Sequence, residues 1–106
     1  MARTGVFFAQ ARPKAGWRTL YTAKGGEMVN YINVANVEGA ATEWYCCIAP
    51  SGKKYNKSTA FVWGEPIAAH DNDVWGFGVP LMPGTRIGVL SSKDNALNFT
   101  VYGQFL

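Results

Sequence analysis

Between Leu97 and Phe105 the chain alternates strictly: Leu97, Phe99, Val101 and Gly103 share one parity, and Asn98, Thr100, Tyr102 and Gln104 share the other. Successive side chains of a strand point to opposite faces, so this pattern specifies a strand with one apolar and one polar side. Shorter segments of the same period fill nearly all of the chain, each cut by Gly, Pro, Asn or Asp after roughly 8–12 residues. No stretch carries the spacing of an amphipathic helix. A chain of this kind is confined to an all-β fold, and we expect a single antiparallel β-sandwich, jelly-roll or Ig-like, of about seven to eight strands.

Strand formers run from Trp17 to Ala23 and stop at Lys24-Gly25-Gly26. In the next strand, Glu27 to Val37, Met28, Ile32 and Val34 share a parity with Asn30 and Asn36, while Val29, Tyr31, Ala35 and Val37 share the other. Apolar groups on both parities predict burial on both sides. Further strands follow at Thr42 to Ala49, Ala60 to Trp63 (halted by Gly64 and Pro66), Val74 to Val79, Thr85 to Leu90 and Leu97 to Phe105. Met1 to Gly16 holds Gly5, Pro13 and Gly16 with no sustained alternation, and is expected to be an extended N-terminal arm outside the core. The domain boundaries expected are therefore 1–16 for the arm and 17–106 for the sandwich.

A chain of 106 residues has room for one core and buries roughly 65% of its unfolded surface. At 48% hydrophobic and 16% charged it is too apolar to be disordered. Four Trp, six Phe and five Tyr are a large load for so small an interior, so some rings are expected to be covered by other copies of the chain. The net charge of +3 is unevenly placed, since Arg3, Arg12, Lys14, Arg18 and Lys24 all precede the first acid, Glu27. Nucleic acid is disfavoured as a partner: there is no dense basic run interleaved with aromatics, no glycine-rich phosphate loop and no helix to enter a groove. Neither a membrane span nor a secretory signal is apparent, and synthesis in a cytoplasm is expected.

Few residues invite chemistry. His70, Asp71 and Asp73 are close in sequence, but a metal site needs three converging ligands, and the segment reads as a polar turn. Cys46 and Cys47 are adjacent in a strand and point to opposite faces, which predicts two buried free thiols and no disulfide. Ser51 and Ser91-Ser92 lack a nucleophile-elbow context, and Glu27, Glu38, Glu43 and Glu65 lie near strand ends where solvated charge is usual. We therefore expect no enzyme: no catalytic residue, no cofactor and no metal.

Leu20-Tyr21-Thr22-Ala23, Ile32-Asn33-Val34-Ala35-Asn36, Ile48-Ala49-Pro50, Leu81-Met82-Pro83-Gly84-Thr85-Arg86-Ile87 and Phe99-Thr100-Val101-Tyr102-Gly103, in that order, resemble the small β-sandwich virion proteins of tailed bacteriophages. The resemblance covers Leu20 to Gly103. It implies a virion structural protein of the capsid decoration (cement) type, with a tail, baseplate or fibre-attachment component as the alternative; apart from the resemblance, the sandwich fold leaves open a glycan-binding module that uses exposed Trp or Tyr as stacking platforms. The partners that the resemblance implies are the chain's own copies, in a homotrimer or other homo-oligomer, and a major capsid protein or other virion protein. The arm is the expected docking element: Phe7 and Phe8 bury their rings in a neighbour while Arg3, Arg12 and Lys14 meet acidic groups.

Overall fold

The computed structural model of the protein describes residues 6–106. Eight strands run through them: β1 Val6–Ala11, β2 Gly16–Thr22, β3 Glu27–Asn36, β4 Thr42–Ala49, β5 Ala60–Ile67, β6 Asn72–Leu81, β7 Arg86–Ser91 and β8 Leu97–Phe105, with a single 3-10 turn at Lys57–Thr59. They form two four-stranded antiparallel sheets ordered β1-β8-β3-β6 and β2-β7-β4-β5. The pairs β1/β8, β2/β7, β3/β6 and β4/β5 are those made by rolling up one long antiparallel ribbon, which makes the sandwich a jelly roll. Among the described residues no helix is long and apolar enough to cross a membrane.

The core lies between the sheets. The apolar parity of β8 supplies Leu97, Phe99 and Val101, and β3 supplies Val29, Ile32 and Val34; β7 and β4 answer with Ile87, Val89, Trp44 and Cys46. Trp44 sits at the centre, fully buried, its ring centroid 6.1 Å from those of both Trp75 and Phe99. Its indole N–H has no hydrogen-bond partner among the described residues. Both cysteines are buried and free.

Three features of the strands depart from the sequence reading. In β3 the register shifts between Val29 and Tyr31, so Asn30 forms a bulge and Val29 joins Ile32 and Val34 on the buried face. Period-2 parity cannot foresee this, because one extra residue exchanges the faces. The fifth strand does not stop at Gly64 and Pro66. It continues to Ile67 through a register shift, with Gly64 at φ 72°, and Pro66 is tolerated because β5 is an edge strand that need not donate on both sides.

The third departure concerns the arm. Residues 6–11 are strand β1, paired with β8 from Val6↔Gly103 to Ala11↔Phe99. Phe8 packs on the core and stacks against Tyr21 at 5.3 Å, and Pro13 is fully buried. A boundary at residue 17 therefore cuts through the sandwich. The segment lacks visible alternation because β1 is itself bulged between Phe7 and Ala9, which places Phe7 outward and Phe8 inward.

Glu27, expected as a solvated strand-end charge, is instead a buried carboxylate that organises the turn between β2 and β3, because a hydroxyl and two backbone N–H groups replace its water. Glu27 is fully buried and accepts hydrogen bonds from the Tyr21 hydroxyl (2.5 Å) and from the backbone N–H groups of Lys24 (2.9 Å) and Gly25 (2.7 Å). Burial by itself raises its pKa, but these donors outweigh burial and hold the carboxyl below its usual value. Burial, with help from the Glu27 hydrogen bond and charge, pushes Tyr21 up from 10.0 to about 12. A depressed carboxyl contributes stability that is full above its unfolded pKa and is lost as pH falls through the folded one. The raised phenol contributes stability that is full below its unfolded value and fades as pH rises from 10.0 to about 12. In urea titrations at several pH values, Glu27→Gln should flatten the acid limb of the wild-type stability curve. Identical limbs would show that the turn does not depend on this charge.

Candidate functional site

Because the fold is a filled sandwich, ligand-accessible geometry lies on its outer faces and ends. A shallow recess of about 180 Å³ lies at one end, lined by Ala41, Thr42, Glu43, Pro66, Ser92 and Lys93. It is smaller than the roughly 300–1,000 Å³ of small-molecule sites. Among the described residues no cluster of three His, Cys, Asp or Glu can hold a metal ion. The Asp73 carboxylate accepts the Trp75 indole N–H at 2.9 Å, and that of Asp71 accepts the N–H of Asn72 at 2.8 Å. Both acids beside His70 thus have structural partners.

The outer face of β1-β8-β3-β6 has one aromatic row. Phe7 pairs with Tyr102, Tyr102 with Tyr31 and Tyr31 with Gly76, so the row crosses all four strands. Tyr31 and Tyr102 stack at 4.9 Å, and Phe7 meets Tyr102 edge-on at 6.0 Å. The next row is Gln10, Thr100, Asn33 and Val74, with Gln10 Nε2 donating to Thr100 Oγ1 at 3.2 Å. Beyond it lie Asn98, Ala35 and Asn72. These three rows contain no Lys, Arg, Asp or Glu. Phe7 is 55% exposed, Tyr31 37% and Val74 55%, so the face is open to a partner. At one margin Arg12 pairs with Glu38 at 3.1 Å.

The opposite face, on β2-β7-β4-β5, is built differently. Trp17 pairs with Leu90, Leu90 with Tyr45 and Tyr45 with Trp63, another row across four strands. Trp17 and Trp63 lie 6.1 Å apart with planes inclined by 35°, and Tyr45 stands edge-on to both. Tyr55, from the β4–β5 connection, folds back over the sheet beside Trp17 at 5.3 Å. Three contacts hold it: a 2.6 Å hydrogen bond with the Thr19 hydroxyl, the Arg86 guanidinium 4.9 Å from its ring centre, and the bare backbone of Gly88. A Cβ at Gly88 would collide with the Tyr55 ring, so glycine is what lets the connection lie flat. Arg86 also donates to the Lys53 carbonyl, fastening the connection a second time.

The five residues assigned to the arm have separate fates. Phe7 belongs to the uncharged face and Phe8 to the core. Arg12 is spent within the chain, donating to the Asn95 carbonyl at 2.5 Å and to Glu38. Lys14 is exposed, and Arg3 lies outside the described residues. The sequence reading named none of Tyr31, Tyr102, Val74, Trp17, Tyr45 and Trp63 as site residues. The signal for Tyr102 was present, as it shares the polar parity of β8; the others needed the register. No protein-family model matches the chain, and no curated protein matches it.

Proposed function

We propose that this protein is a structural component of a tailed-phage virion, a capsid decoration protein that docks through the outer face of β1-β8-β3-β6. The observation that carries the docking is that face's composition: an aromatic row without a charged residue, with the Arg12–Glu38 ion pair at one margin. Interface centres are depleted in charge and enriched in Tyr and Phe, and their rims are polar. The placement in a virion rests on the sequence resemblance, and jelly rolls recur in viral capsid domains as well as in lectins. Contacts made with an assembled shell stabilise it by linkage, and many weak copies sum over a lattice. The second reading is a tail, baseplate or fibre-attachment component, which needs the same kind of face.

The test is occupancy. Purified wild-type protein should self-associate in light scattering coupled to size exclusion, and should co-sediment with the heads of the phage that encodes it. Tyr31→Lys places a cation at the centre of the row and should weaken both by about tenfold or more, the loss expected at an interface centre. Co-sedimentation with isolated tails but not heads would select the second reading. A strict monomer that joins neither would overturn the proposal.

A further inference from the structure

The two sheets of a sandwich turn their outer faces in opposite directions, so the Trp17–Trp63 row points away from the uncharged face of β1-β8-β3-β6. That row differs in kind from the docking face. Tyr45 stands edge-on to both indoles, at 84° to Trp63 and 66° to Trp17, and Trp17 is half-buried between Tyr55 and Trp63, each inclined to it by 35°. Trp63 keeps 44% of its surface exposed at the end of the row. Trp, a large rigid ring at low entropic cost, is well suited to stacking a flat partner.

Charge decides what kind of partner. The segment from Ala49 to Gly64, which lays Tyr55 across the sheet, carries Lys53, Lys54 and Lys57 and no acid. Arg86 lies under the same connection. On the opposite flank, two residues before Tyr45 on β4, stands the exposed Glu43. The platform thus has an uncompensated set of cations along one side, while at the other Glu43 shares its recess with Lys93. A nucleic-acid strand carries a phosphate at every nucleotide and is tracked by a positively charged groove. A polysaccharide with acidic substituents on one side matches a platform with cations on one flank.

We propose that the outer face of β2-β7-β4-β5 binds an acidic polysaccharide, its sugar rings stacked on Trp63 and Trp17 and its anionic groups lying towards Lys53, Lys54 and Lys57. The site is independent of the virion reading and is testable on the free protein.

Affinity electrophoresis through gels containing polygalacturonate, alginate or heparin provides the test, with hydroxyethylcellulose and a single-stranded oligo(dT) as comparators. Retardation is expected in at least one acidic polysaccharide and neither comparator. Trp63→Ala should weaken it by about tenfold, as for loss of one central aromatic. The double variant Lys54→Glu, Lys57→Glu lies in an exposed connection and should do the same. In that variant the residual binding should also lose its salt dependence, since exposed charges are screened over about 8–10 Å. Tyr31→Lys, on the far sheet, should leave binding unchanged, which separates this site from the docking face. Circular dichroism verifies that each variant is folded. No retardation in any of the three, equal retardation in the neutral polymer, unchanged binding by folded Trp63→Ala, or tighter binding of oligo(dT) would each overturn the proposal.

Discussion

Deletion of residues 1–16 should unfold the protein or bring it to the edge of unfolding. The deletion removes strand β1 and its whole ladder with β8, together with buried Pro13 and the Phe8 ring stacked on Tyr21. Full burial of a Phe ring is worth about 1.5–3 kcal/mol and the partly buried Phe8 supplies a share of that, while the deletion also leaves β8 as an unprotected edge. Against a total of about 5–15 kcal/mol for a domain, that is a large fraction. Chemical denaturation followed by circular dichroism measures it. The point variants should divide: Phe8→Ala should lower the denaturation midpoint, whereas Phe7→Ala, at 55% exposed, should leave stability almost unchanged and act on association. A deletion variant with the wild-type midpoint would show that β1 is dispensable, as an arm would be.

Trp44→Ala should cost about 3–5 kcal/mol, the range for removing a fully buried large aromatic. The site cannot collapse easily, because Trp75 and Phe99 pack on Trp44 from the opposite sheet. Trp44→Phe is the informative companion. It keeps an aromatic ring and removes an indole N–H that has no partner among the described residues, a group whose burial itself costs about 1–3 kcal/mol. Its loss should therefore be well under half that of the alanine variant. Equal losses in the two would mean that the ring's full volume, and not the balance of packing against an unpaired donor, sets the energy at this position.

These predictions separate what can be read from a linear pattern from what cannot. The alternation of Leu97 to Phe105 announced β8 with its buried and exposed sides, and Gly-Gly, Pro-Ser-Gly and Met-Pro-Gly marked the turns, because side-chain direction and turn chemistry are local properties. The all-β sandwich followed from those local signals. Bulges at Asn30 and between Phe7 and Ala9 escaped notice, since the extra residue is defined by the partner strand's hydrogen bonds and exchanges faces without changing composition.

The faces themselves belong to the tertiary structure alone. Trp17, Leu90, Tyr45 and Trp63 are scattered over four strands, as are Phe7, Tyr102 and Tyr31 with Gly76, and only the strand order and register set each group in a row. Composition announced a surplus of aromatic rings and an excess of cations. It took the rolled-up ribbon to place the uncharged row on one sheet and the tryptophans, with the lysine-bearing connection folded over Gly88, on the other. Parity along a strand is set by the chain's own pleat, whereas adjacency between strands is set by long-range pairing that no local pattern encodes.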